Sequence, residues 1–262
     1  MQQITSKDNE QIKHIRRLKE KKYREESNEF IIEGIKLIKE AIIEKQKIKT
    51  IVICDGCDKD SNFDSKILYE IAKMNCIVVP EKIFKTLTEV TNPQGILAVI
   101  EKQNKENKID YKADIILILD NIQDPGNLGT ILRTADSINL KQIIISKGTV
   151  DSYSSKVIRS TMGAIFRINI IEVESLEETI KEIKKHKFKI IGTSLEATKN
   201  IYDEKYNKTA IIIGNEANGI EEKILELTDE KVKIPMQGKT ESLNASVATG
   251  IILYEYVRQN LK

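Results

Sequence analysis

The chain has 262 residues, 40% hydrophobic and 31% charged, with 5% aromatics and no Trp. That supplies one large core or two modest ones built mostly of Ile, Leu and Val, and it excludes a disordered chain. No apolar run nears the ~20 residues that cross a bilayer, and "MQQITSKDNEQIKHIRRLKEKK" has no apolar stretch of the kind a secretory signal carries, so a cytoplasmic location is expected.

The net charge of +2 is unevenly spread. Residues 1–24 hold eight Lys/Arg against three Asp/Glu, whereas residues 113–262 hold twenty against twenty-one. Residues 9–24 read as a helix. Its basic side chains, Lys13, Arg16, Arg17, Lys21, Lys22 and Arg24, suit a polyanion, because cations that displace counterions from phosphates gain affinity. A solvated helix face is the alternative.

"EFIIEG" then reads as a strand and "IKLIKEAIIEK" as a helix by apolar spacing. "IKTIVIC" is a buried strand, "SKILYEIAKMN" a helix, "CIVVP" a strand, "EKIFKTLTEV" a helix and "QGILAVIEK" a strand. The polar stretch "QNKENKIDYKAD" lacks periodicity and marks a boundary. We therefore expect a first domain at 1–103, a linker at 104–112 and a second domain at 113–262.

In the second half "DIILILD" is a strand, "NLGTILRTADSI" a helix, "KQIIIS" a strand, "SSKVIRSTMG" a short helix and "IFRINI" a strand. "SLEETIKEIKKH" is a helix, and "KFKIIGTS" and "TAIIIGNE" are strands. "IEEKILEL" is a helix, "EKVKIPM" a strand and "SLNASVATGIILYEYVRQ" a long final helix. Such alternation predicts an α/β fold with a parallel sheet covered on both faces in each half.

Several chemistries are absent. There is no G-x-x-x-x-G-K-[ST] phosphate loop and no G-x-G-x-x-G after an early strand. The only histidines, His14 and His186, adjoin no candidate nucleophile. Cys54 and Cys57 form a lone C-x-x-C, but a structural zinc site needs four ligands and no second pair exists, so no metal is expected.

Ligands of open parallel sheets bind beyond the carboxyl ends of the strands. Four such turns stand out. In "DNIQDPGNLGTILRTADS", Pro125 and Gly126 suggest a tight turn, and Arg133 offers a permanently charged fork suited to phosphate unless Asp136 engages it. "IIGTSLEA" ends in small hydroxylated residues. "AIIIGNEANGI" runs an apolar strand into Glu216. In "IPMQGKTESLNASVATG", Ser242 is a candidate N-cap, followed by small residues that suggest close packing.

The first, third and fourth stretches, in this order and spacing, resemble the three motifs of the SpoU (TrmH-type) RNA ribose 2′-O-methyltransferases of the SPOUT superfamily. The matching residues are Asn127, Gly129, Arg133, Thr134 and Ala135; then Gly214, Asn215, Glu216 and Gly219; then Ile234, Pro235, Met236, Gly238, Ser242, Leu243, Asn244 and Ser246. "KVIRSTMGAIFRI" is similar to the segment such enzymes carry between motifs. "NEFIIEGIKLIKEAI" and "TNPQGILAVIEK" resemble the ends of the substrate-binding domain often fused to them.

This resemblance implies a small α/β RNA-binding domain followed by a parallel-sheet α/β domain with a deep trefoil knot. It implies S-adenosylmethionine as methyl donor and a homodimer with the active site near its interface. It implies roles for Arg133, Asn127, Glu216, Ser242 and Asn244 in catalysis. It also implies donor contacts from Thr193, Ser194, Leu195, Gly214, Asn215, Ile234, Met236 and Leu243. Large-subunit ribosomal RNA is the expected substrate. Transfer RNA, or a non-catalytic RNA-binding role in ribosome assembly, is the alternative.

Overall fold

The computed structural model describes residues 1–56, 65–103 and 108–261. Cys57 of the C-x-x-C, and residues 104–107 of the expected linker, lie outside them. The contacts divide the chain into two compact units, Met1–Asn104 with Tyr153–Phe166, and Lys105–Ser152 with Arg167–Lys262.

The first unit begins with β1 (Gln2–Gln3), α1 (Glu10–Arg17), α2 (Lys21–Ser27), β2 (Glu29–Glu33) and α3 (Ile35–Ile43). It continues with β3 (Ile48–Cys54), α4 (Ser65–Ala72), β4 (Cys76–Val79), α5 (Glu81–Leu87) and β5 (Ile96–Glu101). Its sheet runs β1-β4-β3-β5-β2. Ile12, Ile15 and Leu18, from α1 and its C-cap, join Ile83, Phe84 and Leu87 of α5 over Val52, Ile77, Val79, Leu97 and Val99 of the sheet.

That sheet corrects the expected parallel arrangement, because β5 runs antiparallel to both β3 and β2. Alternating strand and helix signals do not fix strand direction; that depends on whether a connection crosses the sheet. Since β4 is parallel to β3, the connection from β4 through α5 must re-enter the sheet at the end it left.

The expected helix at 9–24 is also broken in two, between Arg17 and Lys21. The Arg24 guanidinium fills the break, donating to the carbonyls of Leu18 at 2.7 Å and Lys19 at 2.6 Å.

The chain then forms β6 (Ile115–Leu119), α6 (Pro125–Ser137), β7 (Gln142–Ser146), α7 (Ser155–Thr161), β8 (Asn169–Val173) and α8 (Leu176–Lys185). It ends with β9 (Lys189–Thr193), β10 (Lys199–Asn200), β11 (Thr209–Ile213), α9 (Glu222–Leu225), β12 (Glu230–Lys233) and α10 (Ala245–Asn260). The second sheet runs β10-β12-β9-β11-β6-β7-β8, with every neighbouring pair parallel. All five residues of β6, β7 and β11 are buried, as continuous apolar strands covered on both faces require.

Helix α7 belongs to the first unit by contact and packs on β2. Tyr153, just before it, lies 4.9 Å from the Phe30 ring with the Lys102 ammonium 4.4 Å from its centroid. Residues 165–166, expected in a strand, form part of a 3-10 turn, and β8 starts only at Asn169. Met162 (φ 50°) and Gly163 (φ 97°) reverse the chain ahead of that turn. A Cβ at Gly163 would lie 2.9 Å from Glu40 Cγ.

Residues 108–112, read as linker, are built into the second unit. The Asp110 N–H donates to buried Gln142 at 2.8 Å, and Gln142 Nε2 donates back to the Asp110 carbonyl at 2.7 Å. Tyr111 stacks on His186 with ring centroids 3.6 Å apart, and Ile109 and Tyr111 pack against the core. Periodicity could not report this, because the anchoring partners are far away in sequence.

Candidate active site

Strands β9, β11, β6 and β12 end together, and the turns beyond them build the site. Helix α6 starts two residues earlier than its apolar pattern suggested. Pro125 is its first residue and Asp124 its N-cap, accepting the Asn127 N–H at 2.8 Å. The expected tight turn at Pro125–Gly126 is therefore the first helical turn, where a missing N–H costs nothing. At α10 the N-cap is Asn244 rather than Ser242. Its Oδ1 accepts from the backbone N–H groups of Ser246 and Val247 at 2.9 and 3.3 Å, and from the Ser246 hydroxyl at 2.6 Å.

These caps set two amides facing each other. Asn244 Nδ2 donates to Asn127 Oδ1 at 2.8 Å, and Asn127 Nδ2 donates to Glu216 Oε1 at 2.9 Å. One polar chain thus joins three stretches of sequence separated by 89 and 117 residues. Its direction is forced, since Glu216 can only accept when ionised, so Asn127 must present its NH₂ there and its oxygen to Asn244. Glu216 also accepts the backbone N–H groups of Gln123 and Asp124, each at 3.3 Å. Partial burial pushes its carboxyl up, but these hydrogen bonds outweigh burial and leave it below its ordinary value.

Beside the chain lies a cavity of about 410 Å³, within the range of small-molecule sites. Thr193, Ser194, Leu195 and Glu196 form one edge, residues 213–220 a second, and Val232–Ile234 with Met236, Ser242 and Leu243 a third. All eight residues expected to contact a donor line it. Leu195 and Met236 are apolar yet 64% and 37% exposed, so the cavity carries uncovered apolar surface. Gly214 permits its shape, since a Cβ there would lie 2.2 Å from backbone atoms of Gly219 and Ile220.

Asn215 lines the cavity, but its side chain serves the loop. Nδ2 donates to the Asn121 carbonyl at 2.8 Å, and Oδ1 accepts the N–H groups of Ala217 and Asn218 at 2.9 and 3.1 Å.

Of the five residues expected in catalysis, Asn127, Glu216 and Asn244 share the polar chain, and Ser242 stands exposed on the cavity wall. Arg133 is on the exposed face of α6, outside both, and makes no hydrogen bond or ion pair among the described residues. Asp136, its possible partner, is engaged by Arg167 instead, Nη2 to Oδ2 at 2.9 Å. Sequence reasoning missed Glu196, Ala217, Asn218, Ile220 and Lys233 on the wall. Ala217, Asn218 and Ile220 reach the wall through the folding of the 214–220 loop, and Glu196 and Lys233 through the ends of β9 and β12.

The basic set of the first unit is not one surface. Arg24 is buried by its carbonyl partners, so it is a structural residue, which corrects its assignment to RNA. Lys13 pairs with Glu10 at 2.9 Å, and Arg16 Nη2 bonds the Lys7 carbonyl and Thr86, each at 3.4 Å. Arg17, Lys21 and Lys22 are exposed, with Arg17 and Lys22 at 5.5 and 5.8 Å from the Tyr23 ring centroid. Among the described residues no helix is long and apolar enough to cross a membrane, and no His/Cys/Asp/Glu group is arranged to hold a metal.

Residues 114–254 match the profile of the SpoU rRNA Methylase family, and residues 9–98 match that of the MRM3-like substrate binding domain. The chain belongs to the SpoU rRNA methylase family. It is 33% identical over 255 residues to the 23S rRNA (guanosine(2553)-2′-O)-methyltransferase RlmP of Bacillus subtilis, covering 97% of this chain and 98% of that one. It is 34% identical to the 23S rRNA (guanosine-2′-O-)-methyltransferase RlmB of Vibrio vulnificus, over 90% of this chain and 98% of that one. The crystal structure of an AdoMet-bound rRNA methyltransferase from Sinorhizobium meliloti superposes with a TM-score of 0.85 at 29% identity, covering 100% of this chain and 99% of that one.

Proposed function

We propose that this SpoU-family enzyme methylates a ribose 2′-hydroxyl of large-subunit ribosomal RNA, using S-adenosylmethionine. The observation that carries the reading is the polar chain Asn244–Asn127–Glu216 beside a cavity of about 410 Å³. The cavity suits the donor by its own chemistry. Uncovered Leu195 and Met236 offer apolar cover for a flat heterocycle, while the strand-end backbone at 193–195 and 214 offers polar groups.

When bound, S-adenosylmethionine supplies a sulfonium-borne methyl group and leaves as a thioether. The remaining roles belong to the chain. Asn127 and Asn244, each locked by the other, would orient the ribose, with Ser242 on the wall beside them. Glu216 would hold the network in that orientation. Arg133, unengaged by any acid among the described residues, would meet an RNA phosphate and lower the energy of the alkoxide that develops as the hydroxyl proton passes to solvent. A guanidinium is too weak a base to take that proton itself.

The 33–34% identity to proteins named for 23S rRNA, spanning both units, favours ribosomal over transfer RNA. Exposed Arg17, Lys21 and Lys22 would contribute the phosphate contacts of the first unit. Half-exposed Val247 and Tyr254 on α10, which packs on α6, support a homodimer whose interface includes the Arg133 face, as the family resemblance implies. The resemblance likewise implies a trefoil knot in the second unit, and the cytoplasm, expected from the sequence, is the proposed place of action. The test offers labelled S-adenosylmethionine with unmodified 23S rRNA or transfer RNA. Label confined to 23S rRNA, and appearing about a hundredfold more slowly with Arg133→Ala, supports the reading. Label confined to transfer RNA overturns the substrate, and no label in either overturns the activity.

A further inference from the structure

Asp120 directly follows β6 and is only 5% exposed. Its backbone continues the sheet, donating to the Ile213 carbonyl at 2.8 Å. Its side chain turns to the far end of the cavity loop, where Oδ2 accepts the Glu221 N–H at 3.0 Å. The Ser146 hydroxyl, at the end of β7, accepts the Asn121 N–H at 2.7 Å and helps hold the Asp120 carboxyl down against burial. The carboxylate therefore sits between two strand ends and one loop end.

The loop it touches is folded tightly on itself. Asn215 and Gly219 exchange backbone hydrogen bonds of 2.9 and 3.0 Å. Asn215 fixes the near end of the loop to the Asn121 carbonyl, and Asp120 fixes the far end at Glu221. Residues 216–220, between these two anchors, form cavity wall. Keeping a carboxylate here is costly, since burial raises the free energy of its charged form.

We propose that Asp120 is a positioning residue for donor binding, anchoring the 214–221 loop through the Glu221 N–H with Ser146 as its support. This rests on the donor-site reading given above. A free loop end would let Ile220 and the Gly219 backbone leave the wall, so affinity for the donor would fall before the chemical step did.

The experiment measures S-adenosylmethionine binding to the full chain by calorimetry without RNA, together with kcat and donor KM in the transfer assay. Asp120→Ala should weaken binding about tenfold or more, the size expected when a hydrogen bond to a charged acceptor is lost and its donor left unpaired. Donor KM should rise in step, with kcat at saturating donor within about threefold. Asp120→Asn retains an oxygen for the Glu221 N–H and should restore binding to within about threefold of the parent. Ser146→Ala, which leaves the Glu221 bond in place, should weaken binding by about threefold and serves if Asp120→Ala does not fold. Parent-like binding by Asp120→Ala, or Asp120→Asn binding no better than Asp120→Ala, would overturn the inference. So would parent-like binding by Ser146→Ala where Asp120→Ala is unfolded. A parent that binds no donor would overturn the functional reading first and this inference with it.

Discussion

Two strand-end carboxylates, Glu33 of the first unit and Glu216 of the second, are treated in opposite ways. In the first unit Glu33 closes β2 and, among the described residues, its carboxylate accepts only the Thr88 hydroxyl, at 2.7 and 2.8 Å to its two oxygens. Burial dominates and pushes its carboxyl up, despite Arg159 and Lys19 nearby. In the second unit Glu216 follows β11 and meets one amide and two backbone N–H groups, which hold its carboxyl down against burial. The difference lies in the supply of donors. The carboxyl end of a parallel sheet opens onto helix N-termini whose backbone N–H groups lack partners, and Glu216 takes two beside α6. The mixed sheet of the first unit gives Glu33 no such supply. A charge can be kept ready for chemistry at the first place and is merely tolerated at the second.

The most damaging way to test that contrast is at Gly214. In Gly214→Ala the new Cβ would meet backbone at 2.2 Å, so the loop carrying Glu216 must refold. Donor binding should become undetectable by calorimetry, with stability falling by about 1–3 kcal/mol as overpacking does. Next comes the polar chain itself. Asn127→Ala strands both Glu216 and Asn244, and single-turnover kcat should drop about a hundredfold, as when one preorganised donor is removed. Arg133→Ala should lose activity on a similar scale while its unfolding midpoint stays put, because the side chain makes no hydrogen bond or ion pair among the described residues.

A smaller effect separates the basic residues. Arg24→Ala should cost about 1–3 kcal/mol in denaturant unfolding by leaving the Leu18 and Lys19 carbonyls unpaired. Lys21→Ala should stay within about 0.5 kcal/mol. It should instead weaken RNA binding and flatten its salt dependence.

The smallest effect is on pH dependence, where the two carboxylates should oppose each other in sign. Glu216 has a depressed value when folded, so its stabilisation is present above the unfolded value and is lost as pH falls through the folded one. Glu216→Gln should therefore be less stable than the parent at neutral pH, with the gap closing in acid. Glu33 has a raised value when folded, so its ionisation penalises folding once pH exceeds that value and vanishes below the unfolded one. Glu33→Gln should gain stability at neutral pH and lose that advantage in acid. Thermal melts across the acid range, with both variants moving in the same direction, would break the comparison.

The parallel sheet of the second unit and the ingredients of its site were legible because they are local. Apolar runs such as "DIILIL" and "AIIIG" ended in Asn, Glu and Gly, and the resemblance grouped Asn127, Glu216 and Asn244 before any contact was known. Their bonding order was not legible, since it depends on the caps of α6 and α10: Asp124 caps a helix that starts two residues earlier than its pattern suggested, and Asn244 takes the place expected of Ser242. The reversed β5, the docked residues 108–112 and the burial of Arg24 were equally hidden. Each depends on a partner or a chain direction that composition does not encode.

The central claim is that the site acts on a ribose oxygen, and the product can be read directly. 23S rRNA labelled with the protein and methyl-tritiated S-adenosylmethionine would be hydrolysed completely in alkali. A 2′-O-methyl group removes the hydroxyl that alkali needs, so the account predicts all label in alkali-resistant dinucleotides, appearing about a hundredfold more slowly when Asn127→Ala replaces the parent. Label released in mononucleotides would mean methylation of a base, and would contradict the account.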